Sequence, residues 1–168
     1  MSLDIKKSIV SLALIGGIAL TAPTATAFAQ DVATPDAYGG SVVKEVLGED
    51  EPDTATGETL ALTRYTIPAG AELPVHTHPG VQIATVESGE LTYHVVEGEL
   101  YVTRADGTQE TVTAGGTVVF EEGDSWIEPE GMIHYAENLT DEDVVLMATS
   151  LLESDEDATI LVDATPAS

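Results

Sequence analysis

The chain has 168 residues and no cysteine, and 30 acidic residues against five lysines and arginines give it a formal net charge of −25. Without cysteine it cannot form disulfides or thiolate ligands, so any metal must be bound through imidazole nitrogen and oxygen. A surface this acidic repels nucleic acid and anionic membranes, and salt is expected to screen its self-repulsion.

The first 29 residues differ in composition from the rest. Lys6 and Lys7 precede an apolar run from Ile9 to Leu20, and Ala27-Phe28-Ala29 places small residues at the two positions that an export peptidase reads. The run is shorter than the roughly 20 apolar residues needed to cross a bilayer. Residues 1–29 are therefore predicted to be a cleavable signal peptide. This implies a secreted or periplasmic protein without stable membrane insertion.

The remainder is predicted to be one domain. One aspartate and two lysines leave with the signal, so 139 residues remain, with 29 acidic and three basic residues and a net charge of −26. This length suits a single core that folds alone. Residues 30–41 are small, polar and turn-rich and are predicted to be a flexible lead. Residues 42–163 are assigned to the domain and 164–168 to a tail.

Short apolar runs recur between turn formers such as Asp106-Gly107, and no helical periodicity is present. The predicted strands are Val42–Leu47, Leu60–Ile67, Val81–Glu87, Leu91–Val96, Leu100–Arg104, Glu110–Thr113, Thr117–Phe120, Ser125–Glu128, Met132–Glu137, Val144–Leu151 and Thr159–Val162. This pattern predicts an all-β sandwich or closed barrel. The acidic segment Glu153–Asp157 is predicted to be a loop before a last edge strand, with a disordered tail as the alternative.

The segment from Gly70 to Gly89 places two histidines two residues apart. Side chains at i and i+2 of an extended strand share a face, so His76 and His78 are expected to point to one place. Pro79-Gly80 then indicates a turn or bulge that re-aims the chain and lets Gln82 join the same cluster.

A second glycine-rich block supplies a third imidazole, His134. Both blocks together resemble the two sequence motifs of the cupin superfamily, through Gly70, His76, His78, Gly89, Gly123, Pro129, Gly131, His134 and Asn138. The resemblance implies a cupin-type antiparallel jelly-roll β-barrel over about residues 41–152. It also implies a divalent transition metal, with Fe, Mn, Ni, Cu and Zn all open, held by His76, His78 and His134.

Gln82 departs from the family pattern, which usually has a glutamate as the third ligand of the first motif. An amide oxygen can coordinate a metal but brings no charge, so a bound divalent ion is expected to keep more of its positive charge. Three roles remain open for Gln82: metal ligand, hydrogen-bond donor to a bound water or substrate, or indifferent barrel residue. Glu72 is a possible substitute carboxylate, but it is disfavoured because it precedes Pro74, the proline that opens the His-x-His segment.

Two residues near the motifs carry alternatives. His94 is expected to face outward, because Leu91, Tyr93 and Val95 form the more apolar face of its strand. Asn138 begins a glycosylation sequon and also closes the second cupin motif, and the turn role is favoured.

The function expected from the resemblance is a metal-dependent, dioxygenase-like enzyme acting on a small organic substrate. No catalytic residue beyond the ligands can be named. The alternative is a non-catalytic module that binds a small ligand or metal, and a vestigial site is the third hypothesis. The partners expected are a small molecule and, from the family, a second copy of the chain packed through barrel edges.

Overall fold

The computed structural model describes residues 42–163, which form twelve β-strands. The strands are β1 (Val43–Asp50), β2 (Glu58–Ile67), β3 (Glu72–Thr77), β4 (Gly80–Ser88), β5 (Leu91–Glu97), β6 (Glu99–Thr103), β7 (Gln109–Thr113), β8 (Thr117–Phe120), β9 (Ser125–Glu128), β10 (Ile133–Glu137), β11 (Val144–Glu153) and β12 (Ile160–Leu161). Within residues 42–163, no helix is able to span a membrane. The predicted signal peptide, flexible lead and tail lie outside the described residues.

The strands form two antiparallel sheets. Seven strands pair in the order β1-β2-β11-β4-β9-β6-β7, and five pair in the order β12-β3-β10-β5-β8. The all-β jelly-roll prediction is therefore confirmed, although the two sheets stay separate and do not join into one closed cylinder. The chain changes sheet at several turns, so residues close in sequence line opposite walls of the interior.

Each of the eleven predicted strands overlaps an observed one, and β3 is a twelfth strand, of which the sequence indicated only the extended segment around His76 and His78. Pro74 and the two histidines break the apolar alternation there. The strand tolerates Pro74 because β12, its outer neighbour, pairs only with Thr77 and His76, and the pairing with β10 shifts register between His134 and Ala136. A proline is accepted at such an edge or bulge because no ladder hydrogen bond needs its missing N–H. The last edge strand is confirmed as β12.

The core lies between the sheets and follows strand alternation. Phe120, Ile67 and Leu100 are fully buried, and the rings of Phe120 and Trp126 stack with centroids 4.0 Å apart. Burying one such side chain stabilises the fold by about 2–3 kcal/mol. Polar side chains are also buried, and five of them, from both sheets, line the same cavity: His76, His78, Gln82, Glu128 and His134.

Gly80 takes the chain from β3 in the smaller sheet to β4 in the larger one. Its φ is +150°, and a Cβ at this position would lie 2.2 Å from the backbone oxygen of Leu151. Only glycine allows this close approach of β4 to β11. The turn or bulge expected at Pro79-Gly80 is thus a crossing between sheets.

Asn138 anchors the chain after β10. Its side chain is fully buried, and its Nδ2 donates to the carbonyl oxygens of Ile67 at 3.0 Å and Glu142 at 2.8 Å. Its Oδ1 accepts hydrogen bonds from the backbone N–H and the hydroxyl of Thr140. The structure therefore favours the turn role of Asn138, because this buried amide is already fully hydrogen-bonded.

Candidate metal centre

Three histidines from two parts of the chain meet at the wall of this cavity. His76 on β3 pairs directly with His134 on β10, and His78 follows β3 by one residue. The ring centroids are 4.2 Å apart for His76 and His134, 5.0 Å for His76 and His78, and 5.3 Å for His78 and His134. One nitrogen from each ring lies within 4.8 Å of the others, and all three side chains are buried. The structure thus brings the predicted triad together.

Backbone carbonyls fix the orientation of two of the rings. The Nδ1 of His76 donates to the carbonyl of Pro74 at 2.7 Å, and the Nδ1 of His78 donates to the carbonyl of Ala158 at 2.6 Å. A histidine that donates from Nδ1 has Nε2 available for a metal, and such a partner holds the ring in place. Tyr93 stacks on the third ring, His134, with an interplanar angle of 14°.

Gln82 reaches the cluster from β4 in the other sheet. Its Nε2 lies 3.4 Å from the Nε2 of His78 and donates to the Oε2 of Glu128 at 3.0 Å. The structure therefore places Gln82 at the site, as its motif position predicts. The amide group, however, turns its nitrogen toward these neighbours.

Glu128 is a site residue that the sequence analysis missed. It ends β9, is only 3 % exposed, and accepts hydrogen bonds at Oε1 from the Tyr93 hydroxyl at 2.8 Å and the Trp126 Nε1 at 2.7 Å. Its Oε2 lies 3.3 Å from the Nε2 of His78 and 3.9 Å from the Nε2 of His134. Strand alternation could have found it, since position 128 shares the face of the apolar Trp126.

Glu72, the carboxylate that was considered, is exposed on β3. Glu72 is therefore not the carboxylate of the site. The carboxylate of the site comes from the second motif's strand instead of the first motif.

Burial and the buried carboxylate set the protonation of the triad. Burial lowers the pKa of His76 to about 3, aided by repulsion from the other two histidines, and burial likewise lowers the pKa of His134 to about 4. Burial also acts to lower the pKa of His78, but the hydrogen bond and negative charge of Glu128, together with the hydrogen bond to the Ala158 carbonyl, outweigh it and raise the pKa above its ordinary value. Glu128 is ionised, because the neighbouring histidines and Trp126 overcome burial and hold its pKa well below the ordinary value. Two imidazoles are thus neutral near pH 7, the form that binds metals.

The triad lines a small cavity of about 40 Å³. The cavity walls are largely apolar and include Ile67, Leu91 and Trp126. Gln82 also lines a second cavity, and Lys44 is part of the wall of that cavity. The site therefore combines a polar metal-binding end with an apolar chamber.

His94, the fourth histidine, lies apart from the cluster. It faces away from the core on β5, where its Nε2 contacts Glu137 at 2.9 Å and its ring stacks on Tyr135. The outward orientation agrees with its predicted strand face. His94 is therefore a natural control position for experiments on the triad.

The donor set fits a divalent transition metal. Imidazole suits Zn, Cu, Fe and Ni, and a carboxylate or amide oxygen suits these and Mn. One nitrogen from each ring lies within 4.8 Å of the others, close enough for the three to converge on one ion. The residues that could hold it are His76, His78 and His134, with Gln82 or Glu128 supplying oxygen.

Comparison with known proteins agrees with this architecture. A family model described as Cupin matches residues 31–166. No curated protein gives a match.

Solved structures resemble the fold at low identity. An oxalate oxidase is 19% identical with a TM-score of 0.50, and the match covers 79% of this chain and 58% of that one. A structure of DMSP lyases is 13% identical with a TM-score of 0.50, covering 73% and 53%. A cupin 2 conserved barrel domain protein from Leptotrichia buccalis is 22% identical with a TM-score of 0.47, covering 67% and 41%. The matches thus span about half the length of these structures.

Proposed function

Because the chain belongs to the cupin family, we propose that it is an exported metal-binding cupin whose buried triad holds one divalent transition metal. The observation that carries this proposal is the convergence of three buried imidazoles within 4.8 Å at the inner end of an apolar cavity. Buried histidines grouped so closely repel one another when charged, so the arrangement favours neutral rings that share a cation.

We further propose that the metal serves a dioxygenase-like reaction on a small organic substrate. Three imidazoles and one oxygen ligand leave one or two coordination positions open, and the bound ion would supply Lewis-acid or redox chemistry there. Ile67 and Leu91 exclude water from the chamber, while Tyr93 and Trp126 give it aromatic walls. These features favour a compact, mostly apolar substrate with one or two polar atoms directed at the ion.

Oxygen consumption tests the enzymatic part of the proposal. The metal-loaded protein is offered a panel of phenols, thiols and organic acids, and uptake is recorded with an oxygen electrode. We expect uptake with at least one class, its loss in His78→Ala, and full retention in His94→Gln. Ligand binding without uptake of oxygen by the wild-type protein would instead support the alternative, a non-catalytic cupin that binds a small ligand or metal.

Export rests on the first 29 residues, whose sequence has the three regions of a secretory signal. N-terminal sequencing of the protein produced from the full-length gene tests it. We expect the mature chain to begin at Gln30 and to be found outside the cytoplasmic membrane. A protein that retains Met1 or Ser2 would contradict export.

A further inference from the structure

Glu128 lies beside the histidine triad, with its Oε2 3.3 Å from the Nε2 of His78 and 3.9 Å from the Nε2 of His134. We propose that Glu128, and not Gln82, supplies the oxygen ligand of the metal site, and that Gln82 positions the Glu128 carboxylate. This inference rests on the proposed metal-binding function and gives it a specific ligand set.

Strand pairing puts the two residues at equivalent places. Gln82 on β4 is the direct partner of Glu128 on the antiparallel neighbour β9. Side chains of directly opposed residues leave the sheet on the same face, with Cβ atoms about 4.5–5.5 Å apart. A carboxylate at position 128 can therefore reach the point that a carboxylate at position 82 would reach. The carboxylate of the site therefore lies on β9, one strand away from the motif position on β4.

The distances agree with coordination by Glu128. Two ligand atoms that each lie about 2.0–2.2 Å from one metal are roughly 2.9–3.5 Å apart at tetrahedral or octahedral angles. The Oε2 of Glu128 is 3.3 Å from the Nε2 of His78, within this range, and 3.9 Å from the Nε2 of His134. A shift of about half an ångström brings the second distance into range as well.

The two carboxylate oxygens of Glu128 have different hydrogen-bond partners. Oε1 is held by the Tyr93 hydroxyl and the Trp126 indole N–H, so Oε2 alone faces the histidines. This arrangement presents a single oxygen and suits one-point coordination. Supporting hydrogen bonds of this kind orient the ligands of metal sites.

Gln82 is arranged as a donor. A carboxylate only accepts hydrogen bonds, so the amide nitrogen of Gln82 must face Glu128, and its Nε2 lies 3.0 Å from Oε2. The same nitrogen is the amide atom near His78. An amide nitrogen that carries its protons has no lone pair for a metal. Gln82 therefore acts on the metal through Glu128.

The charge of the site changes with this assignment. Three neutral imidazoles and one carboxylate would reduce the charge of a divalent ion by one, as the usual glutamate of the family would. The higher residual charge that Gln82 implies in the sequence is then not expected. Glutamine at position 82 is compatible with a fully formed four-ligand site.

Cobalt binding to matched variants tests the assignment without an activity assay. Co²⁺ affinity is measured by competition with a chelator, and the visible ligand-field spectrum reports the ligand set. E128Q removes the charge, whereas E128D keeps it but shortens the side chain by one methylene. Both are expected to weaken Co²⁺ binding by more than about 100-fold and to change the spectrum, and Q82A, which acts on the ligand and not on the ion, by about 10- to 100-fold. The double variant Q82E/E128Q, which exchanges the two groups, is expected to recover most of the affinity.

The outcomes separate this inference from the proposed function. If E128D binds Co²⁺ like the wild type, or if Q82A loses more affinity than E128Q, Glu128 is not the ligand although the metal site stands. If the wild-type chain takes up no Co²⁺, the metal site itself is wrong. If the variants fail to fold, a crystal structure of the Co²⁺-loaded wild type decides the matter. It should show Oε2 of Glu128 about 2.0–2.2 Å from the ion, and Oε1 of Gln82 in that place would overturn the assignment.

Discussion

Metal uptake at pH 5.5 is predicted to release about one proton per ion. With pKa values of about 3 and about 4, His76 and His134 are almost entirely neutral at this pH. Glu128 raises the pKa of His78 above the ordinary histidine value, so His78 is protonated at this pH and must lose its proton to bind an ion. Glu128 is already ionised and contributes none. Three histidines with the ordinary pKa would together release about 2.7 protons instead.

Calorimetric titration measures this number directly. Ni²⁺ or Co²⁺ is titrated into the apo-protein at pH 5.5 in two buffers of different ionisation enthalpy, and the difference in heat gives the protons released. His94→Gln is the matched control, because it removes an imidazole that lies apart from the site. The affinity should rise about tenfold per pH unit between pH 5 and 6, since one proton competes with the metal. A release near 2.7 protons would refute the buried, neutral state of His76 and His134, and a release near zero would refute the His78–Glu128 pair.

Three further predictions concern stability. Gly80→Ala should lower the free energy of unfolding by about 3 kcal/mol in urea titration, because the new Cβ would meet the Leu151 backbone oxygen. Gly48→Ala is the control: no atom lies within 4 Å of its Cβ position, so it should cost less than about 1 kcal/mol. Equal losses would contradict this account. Asn138→Ala should cost about 3 kcal/mol, because it removes four hydrogen bonds of the turn, of which only those of the Thr140 hydroxyl and the Glu142 carbonyl have a substitute in each other. A loss below about 1 kcal/mol would argue against the observed hydrogen bonds. The melting temperature of the metal-loaded protein should rise between millimolar and molar NaCl, because salt screens the repulsion among the acidic side chains that give the chain its net charge of −25. A flat or falling curve would contradict that reasoning.

The strands were predictable because this chain obeys period-two alternation at most positions. Leu91, Tyr93 and Val95 are buried on β5 while His94 faces away, as the alternation indicates. β3 could not be recognised in this way. This strand buries His76 in the interior and contains Pro74, so it lacks both the apolar alternation and the absence of proline that mark a strand in sequence.

The site was predictable only in part, for a related reason. The spacing of His76 and His78 and the motif around His134 indicated the triad, and the family resemblance joined them. Glu128 belongs to no motif ligand position, and its importance comes from the pairing of β4 with β9. That pairing depends on the arrangement of the whole sheet. The local motif pattern therefore indicated Gln82 and Glu72 as candidates. It did not indicate Glu128, the buried acid on the neighbouring strand.

The buried triad is proposed to bind one transition metal. Elemental analysis of the protein, purified from its natural compartment without a nickel column, tests this most directly. We predict about one transition-metal ion per chain in the wild type and in His94→Gln, and almost none in folded His78→Ala. Wild-type protein that is folded and free of metal, and that takes up none on dialysis against Fe, Mn, Ni, Cu or Zn, would contradict the account.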